Sequence, residues 1–169
     1  IMKKIITFGS LKGGVGKSTL SVSVARCLAK NYKVLAIDFE TANSSMSSVF
    51  VDSSKLAELD PKNQKHIAAA LQGANLQEYA IPSTFENIDI IRSNINLSML
   101  RPNQNLFKRL VASSDLSKYD FVICDTSPVW YDITLMAYEG SDLVVTPVYM
   151  SQFCYMPTTF LRDRLPIDT

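Results

Sequence analysis

The sequence predicts an α/β fold, a doubly wound, mostly parallel sheet flanked by helices. Three observations carry that expectation. The apolar runs Ile5-Ile6-Thr7-Phe8, Val34-Leu35-Ala36-Ile37 and Phe121-Val122-Ile123-Cys124 are continuous rather than alternating, as in strands covered on both faces. Segments with helical spacing separate such runs along the chain. A glycine-rich turn joins the first run to the first helical segment, which gives a β–loop–α–β order within about 40 residues.

The elements follow in order. Ile5 to Phe8 is the first strand and closes at Gly9. From Lys17 to about Lys30 the spacing is helical, with Leu20, Val24 and Leu28 on one face and Asn31 as the stop. Val34 to Ile37 is the second strand, ending in Asp38-Phe39-Glu40. Residues 41–63 are polar, with a short helix expected near Ser45 to Phe50; another helix is expected from His66 to Leu71, stopping at Gly73. Ile88 to Ile91 is the third strand, and a helix from about Asn103 to Ser113 precedes the fourth, Phe121 to Cys124. A helix at Thr134 to Tyr138 leads to the fifth strand, Leu143 to Thr146, closed by Pro147. A last helical stretch runs from Thr158 to Leu165.

Composition bounds the function classes. The 169 residues suit one domain, 1–169, large enough to bury a core. Seventeen basic and sixteen acidic residues leave +1, which gives no electrostatic case for wholesale nucleic-acid or membrane binding, although a local basic patch stays open. No apolar run approaches the roughly 20 residues of a membrane span. Ile1-Met2-Lys3-Lys4 runs straight into a strand with no cleavage region, unlike a signal peptide. Cys27, Cys124 and Cys154 form no CxxC pair and read as buried, reduced thiols in a cytoplasmic protein. With His66 the only histidine, triad chemistry has no support, and zinc chemistry lacks ligands.

The strongest chemical signal is Lys12-Gly13-Gly14-Val15-Gly16-Lys17-Ser18-Thr19. Glycines at 13, 14 and 16 allow the backbone to curl, so that several N–H groups aim at phosphate oxygens. The helix beginning near Lys17 points its positive dipole end at the same place. Lys17 adds a full charge for the β- and γ-phosphates, and the Ser18 hydroxyl is a ligand for Mg²⁺. In the ordinary G-x-x-x-x-G-K-[ST] spelling the first glycine would fall at position 11, which is Leu11, and a second lysine, Lys12, precedes the glycine pair. A loop wrapped tightly round the phosphates leaves Lys12 better placed for a nucleotide on a partner molecule than for its own.

This spelling resembles the deviant Walker A motif of the ParA/MinD-type P-loop ATPases. Other stretches agree in order. Val34 to Glu40, with Asn43, is similar to the family's D-x-D-P-Q-x-N motif, with Thr41 and Ala42 in place of Pro-Gln. Ile88 to Asn94 is similar to the stretch ending P-S-N, with Arg92 for Pro. Tyr119 to Pro128 resembles the Walker B strand Y-D-hhhh-D-T-P-P, and Asp142 to Val148 the strand leading into the base-binding loop, which makes Pro147 a nucleotide-contact candidate.

The resemblance implies an ATP-dependent homodimer that sandwiches two ATP molecules, with Lys12 reaching the other subunit's phosphate. It further implies Lys17 and Ser18 on phosphate and Mg²⁺, and Asp125 orienting the metal's water shell. Slow hydrolysis stimulated by a ParB-like partner, nonspecific DNA binding and plasmid or chromosome partition complete the family pattern. The protein would then be cytoplasmic and, when bound to DNA, nucleoid-associated.

The departures from the pattern shape the alternatives. Glu40 stands where the family has the Asp that positions the attacking water; the extra methylene adds about 1.5 Å of reach, and misplacement on that scale costs on the order of 100-fold in rate. Asp38, two residues earlier, falls on the same strand face, so both carboxylates are expected to point at the site as catalytic candidates beside Lys12 and Lys17. Met136 stands where many relatives carry a base-contacting Asn, so no base contact is expected from it. The sequence ends at Thr169, where family members usually continue, which leaves a shortened member, a fragment or a chain without its disordered parts as the expectations. A basic amphipathic helix of the MinD sort is missing, against membrane attachment. Without an N-K-x-D motif, ATP is favoured over GTP. Besides partition, two readings stay open: a related ATPase that positions a non-DNA cargo or regulates division, and a nucleotide-dependent dimerisation switch with little hydrolysis.

Overall fold

The computed structural model describes residues 4–41 and 45–165, without the side chains of residues 152–155. Asn43 and the Cys154 side chain therefore lie outside the described residues. Six strands, β1 (Lys4–Phe8), β2 (Val34–Phe39), β3 (Ile81–Pro82), β4 (Ile88–Ile91), β5 (Phe121–Thr126) and β6 (Leu143–Val145), form one sheet in the order β3-β4-β2-β5-β1-β6. All pairings are parallel except β3 with β4. The helices are α1 (Lys17–Leu28), α2 (Ser45–Phe50), α3 (Leu56–Leu59), α4 (Ile67–Ala70), α5 (Leu106–Ser113), α6 (Asp132–Glu139) and α7 (Gln152–Arg164).

Alternation along the strands divides the interior in two. Leu35, Ile37 and Phe39 of β2 face a core shared with α4, α5 and α6, in which Phe39 meets Phe107 edge-on at 5.2 Å. Val34 and Ala36 face the opposite core, with α1 and α2. Every residue of β2 is buried, as a strand covered on both faces requires. Asp38 and, on β5, Asp125 belong to the α1 face and stand opposite each other in the β2–β5 register.

Several expectations change. The short antiparallel edge strand β3 is additional; its proline sits where an edge tolerates a missing donor. The face of α1 against the sheet is Lys17, Ser21 and Ala25, one residue round from Leu20, Val24 and Leu28, and Leu20 is 37% exposed. Small side chains let α1 lie close to β5, and Val24 and Leu28, half-buried, pack at the margin of the same core. Cys27 is exposed, contrary to the expectation of burial, whereas Cys124 is buried and its thiol is pushed up to about 12 by desolvation. Helix α5 starts at Leu106, because the Asn103 side chain accepts from the Asn105 N–H and makes a turn instead. Helix α6 begins two residues early at Asp132, and α7 begins at Gln152 and runs through Pro157.

The polar stretch after α2 is fastened by a buried ion pair. Arg92, just past β4, donates to Asp60 Oδ2 at 2.6 Å and to Asn63 Oδ1 at 2.6 Å, and Asp60 also accepts from the N–H groups of Gln64 and Lys65. His66 caps α4, its Nδ1 accepting from the Ala69 N–H at 3.1 Å. Its place is architectural.

Candidate functional site

The carboxyl ends of β1, β2 and β5 open onto a cleft of about 330 Å³. One wall is the loop between β1 and α1: Lys12, Gly13, Gly14, Gly16, Lys17, Ser18 and Thr19 line it. Glu40, Ser45 and Pro128 complete the lining. Gly14 has φ 74° and Gly16 φ 85°, left-handed values that a side chain would strain, and these two turns curl the loop. Helix α1 then begins without a side-chain cap and without an acidic residue in its first turn. Its first N–H groups, unpaired within a helix, are thus left for an anion in the cleft.

Lys17 is 7% exposed, and its Nζ lies 3.0 Å from Asp125 Oδ1, a carboxylate with no exposure at all. Burial lifts the Asp125 carboxyl above the ordinary range, and the Lys17 charge works against that lift. The second oxygen, Oδ2, is buried with no hydrogen-bond partner. An orphaned carboxylate oxygen beside a phosphate-type loop suits a divalent cation, which would satisfy it directly or through water. No group of three or more His, Cys, Asp or Glu side chains forms a self-sufficient metal cage among the described residues. Mg²⁺ takes one or two protein oxygens and completes its shell with water and phosphate; the Ser18 hydroxyl, in the same cleft wall, is an oxygen of the kind it would take.

Asp38 has a different setting. It is fully buried, accepting from the Glu40 N–H at 2.9 Å, the Ser47 N–H at 2.8 Å and the Ser47 hydroxyl at 2.6 Å. These bonds tie the end of β2 to α2, and Asp38 is not part of the cleft lining, whereas Glu40 is. Desolvation dominates its titration and raises it to about 6, opposed by the Ser47 and Glu40 hydrogen bonds. A raised acid binds its proton more tightly folded than unfolded, so stability from this group is present below about pH 4 and lost as pH rises through about 6. The rise corresponds to about 3 kcal/mol. Replacing Asp38 by Asn is expected to flatten the fall in urea-unfolding free energy between pH 4 and 6; an unchanged slope would assign that fall to other groups.

Of the remaining candidates, Lys12 and Thr19 line this cleft and Val15, Pro147 and Met136 do not. Lys12 lines it, its Nζ 4.9 Å from the Tyr149 ring centre. Its side chain is thus beside its own chain's cleft, closer than the tight-loop argument anticipates. Val15 is half-buried in the loop but is not part of the cleft lining, and Thr19 is. Pro147 follows β6, whose Val145 carbonyl accepts from the Gly9 N–H, and is not among the lining residues. Met136 is fully buried in the core.

Sequence reasoning passed over three serines. Ser127 Oγ donates to Glu40 Oε1 at 2.8 Å, Ser93 Oγ donates to the Glu40 carbonyl, and Ser47 Oγ accepts from the Ser93 N–H at 2.9 Å. Ser93 and Ser127 had only the signal of position, each just past a strand end, and Ser47, within α2, had none. No helix of the described residues is long and apolar enough to cross a membrane.

Comparison with known proteins agrees with this geometry. A family described as "AAA domain" matches residues 3–163. The sporulation initiation inhibitor protein Soj of Bacillus subtilis is 30% identical over 154 residues, 87% of this chain and 58% of Soj. Tyrosine-protein kinase CpsD of Streptococcus pneumoniae is 33% identical over 132 residues, 75% of this chain and 53% of CpsD. The chain thus spans little more than half the length of these curated relatives. Among solved structures, a plasmid partition protein of Borrelia burgdorferi bound to AMPPNP superposes with a TM-score of 0.84 at 30% identity, covering 96% of this chain and 68% of that one. With a match across nearly all of its length and the deviant lysine in place, the chain belongs to the AAA-domain family of ParA/MinD-type P-loop ATPases.

Proposed function

We propose that this chain binds and hydrolyses ATP with Mg²⁺, dimerises on ATP and drives DNA partition under the stimulation of a ParB-like partner protein. The supporting observation is the cleft at the sheet's carboxyl edge, which combines a curled glycine loop, an uncapped helix start, the Lys17–Asp125 pair and the Lys12 ammonium. The phosphates would lie along residues 13–19, with Lys17 neutralising the terminal ones. Ser18 and Asp125 would hold the cation, whose bound charge draws electron density from the terminal phosphoryl group. Glu40, the carboxylate lining the cleft, would orient the attacking water and accept its proton; Asp38 holds the end of β2 behind it. Lys12 would answer the charge of the second nucleotide once two chains meet. Residues 1–169 act as one nucleotide-binding domain, in the cytoplasm, and on the nucleoid while DNA is bound. The Soj and plasmid-partition resemblance favours DNA as cargo.

The test is ATP turnover and DNA mobility shift with ATP or ADP. Turnover that rises with DNA and partner, together with an ATP-specific shift that weakens steeply with salt, is the expected result. Turnover without a shift at any salt would move the reading to a non-DNA cargo. A second reading, a dimerisation switch with little hydrolysis, draws on Glu40 alone; dimers on ATP with negligible turnover would select it.

A further inference from the structure

We infer that Ser127 is a positioning residue for hydrolysis, holding the Glu40 carboxylate in place across the floor of the cleft. The inference rests on the ATP-hydrolase reading above and assigns a role to a residue outside the nucleotide-binding loop. Ser127 directly follows β5 and is 2% exposed. Its backbone is fixed from the preceding residue, since Thr126 Oγ1 donates to Phe8 O at 2.9 Å and so ties this strand end to β1. A serine hydroxyl has a single proton to give. The Thr41 N–H donates to Ser127 Oγ at 3.1 Å and the Thr41 hydroxyl lies 3.2 Å from the same oxygen; with both Thr41 groups donating, the Ser127 proton goes to the charged acceptor, Glu40 Oε1 at 2.8 Å.

Glu40 is held through both its backbone and its side chain. Its N–H donates to Asp38 Oδ1, its carbonyl accepts from Ser93 Oγ, and its side chain accepts from Ser127 Oγ. The first two fix the backbone, but a glutamate on a fixed backbone still has three side-chain torsions. The bond from Ser127 acts on the carboxylate itself, at Oε1. Reaction geometry is sensitive at the ångström level, so a carboxylate that wanders over its rotamers loses rate while nucleotide binding, made by the opposite wall, stays intact. Residues 40 and 127 are also both departures from the motif spellings that the sequence resembles, Glu for Asp and Ser for Pro, and here they touch.

The experiment measures kcat and KM for MgATP in Ser127→Ala, Ser127→Thr, Glu40→Asp and the Ser127→Ala/Glu40→Asp double variant, with melting temperatures alongside. Ser127→Ala is expected to lower kcat about tenfold with KM within about twofold of the parent, and Ser127→Thr, which keeps a hydroxyl, to restore most of that rate. In Glu40→Asp the shorter side chain withdraws from the hydroxyl, so adding Ser127→Ala should cost less than about twofold. A merely structural role, through Thr41 for example, would cost the same factor whichever acid stands at 40. Equal losses in both backgrounds, an unchanged kcat in Ser127→Ala, or a raised KM at constant kcat would each overturn the inference while leaving the ATPase reading intact. A parent protein without any turnover would overturn both.

Discussion

Replacing Lys17 by Ala is expected to weaken MgATP binding by roughly 100-fold or more, as read by titration calorimetry. Lys17 brings a full positive charge to a nearly enclosed wall of the cleft, and a hydrogen bond made to a charged group contributes about 1.5–3 kcal/mol. The same change leaves Asp125 buried without its cation, and breaking a buried pair from one side costs about 3–5 kcal/mol. A lost signal from an unfolded variant would therefore prove little. The Lys17→Ala/Asp125→Asn double variant reads the stability effect alone, since it also removes the carboxylate assigned to the cation. It should recover most of the melting temperature, since no unpaired charge remains. Affinity within about threefold of the parent in a folded Lys17→Ala protein would remove Lys17 from the phosphate site.

Lys12→Ala should give the opposite pattern. Binding of ATP to the monomer is expected to stay within about threefold, while ATP-driven association falls by about 10–100-fold, the worth of one charge-assisted contact to phosphate. Sedimentation velocity with and without ATP reads this directly. The position of Lys12 beside its own cleft and over the Tyr149 ring makes the experiment decisive between two roles. A side chain serving its own nucleotide would lose monomer affinity on truncation; one serving the partner's would lose the dimer. Dimers undiminished in Lys12→Ala would exclude the cross-subunit role.

Much of this architecture was legible in the residues because buried parallel strands and a phosphate-type loop leave strong local signals. Val34 to Ile37 and Phe121 to Cys124 are continuous apolar runs, and they became the two central, fully covered strands. The loop at residues 12–19 announced itself by glycine and lysine spacing. What escaped was information carried by close packing and by small polar groups. The face of α1 was misread because contact with the sheet selects Ser21 and Ala25 over Leu20. Strand β3, with two residues and one proline, lies below any periodicity signal and exists only because β4 offers it an edge. At the site, Asp38 and Glu40 looked equivalent from their spacing. Ser47, nine residues on, turns Asp38 into a brace between β2 and α2, and Ser127, from a distant strand, fixes the Glu40 carboxylate. Hydroxyl groups 9 and 87 positions away along the chain have no signature in a strand pattern.

The proposed ATP binding depends most directly on whether the loop of residues 13–19 receives a triphosphate. A crystal structure grown with MgATP is expected to show the phosphates against the N–H groups of that loop, Lys17 moved from Asp125 onto phosphate oxygens, and the cation between Ser18 and Asp125. A loop still empty at saturating MgATP, with Lys17 still bonded to Asp125, would contradict it.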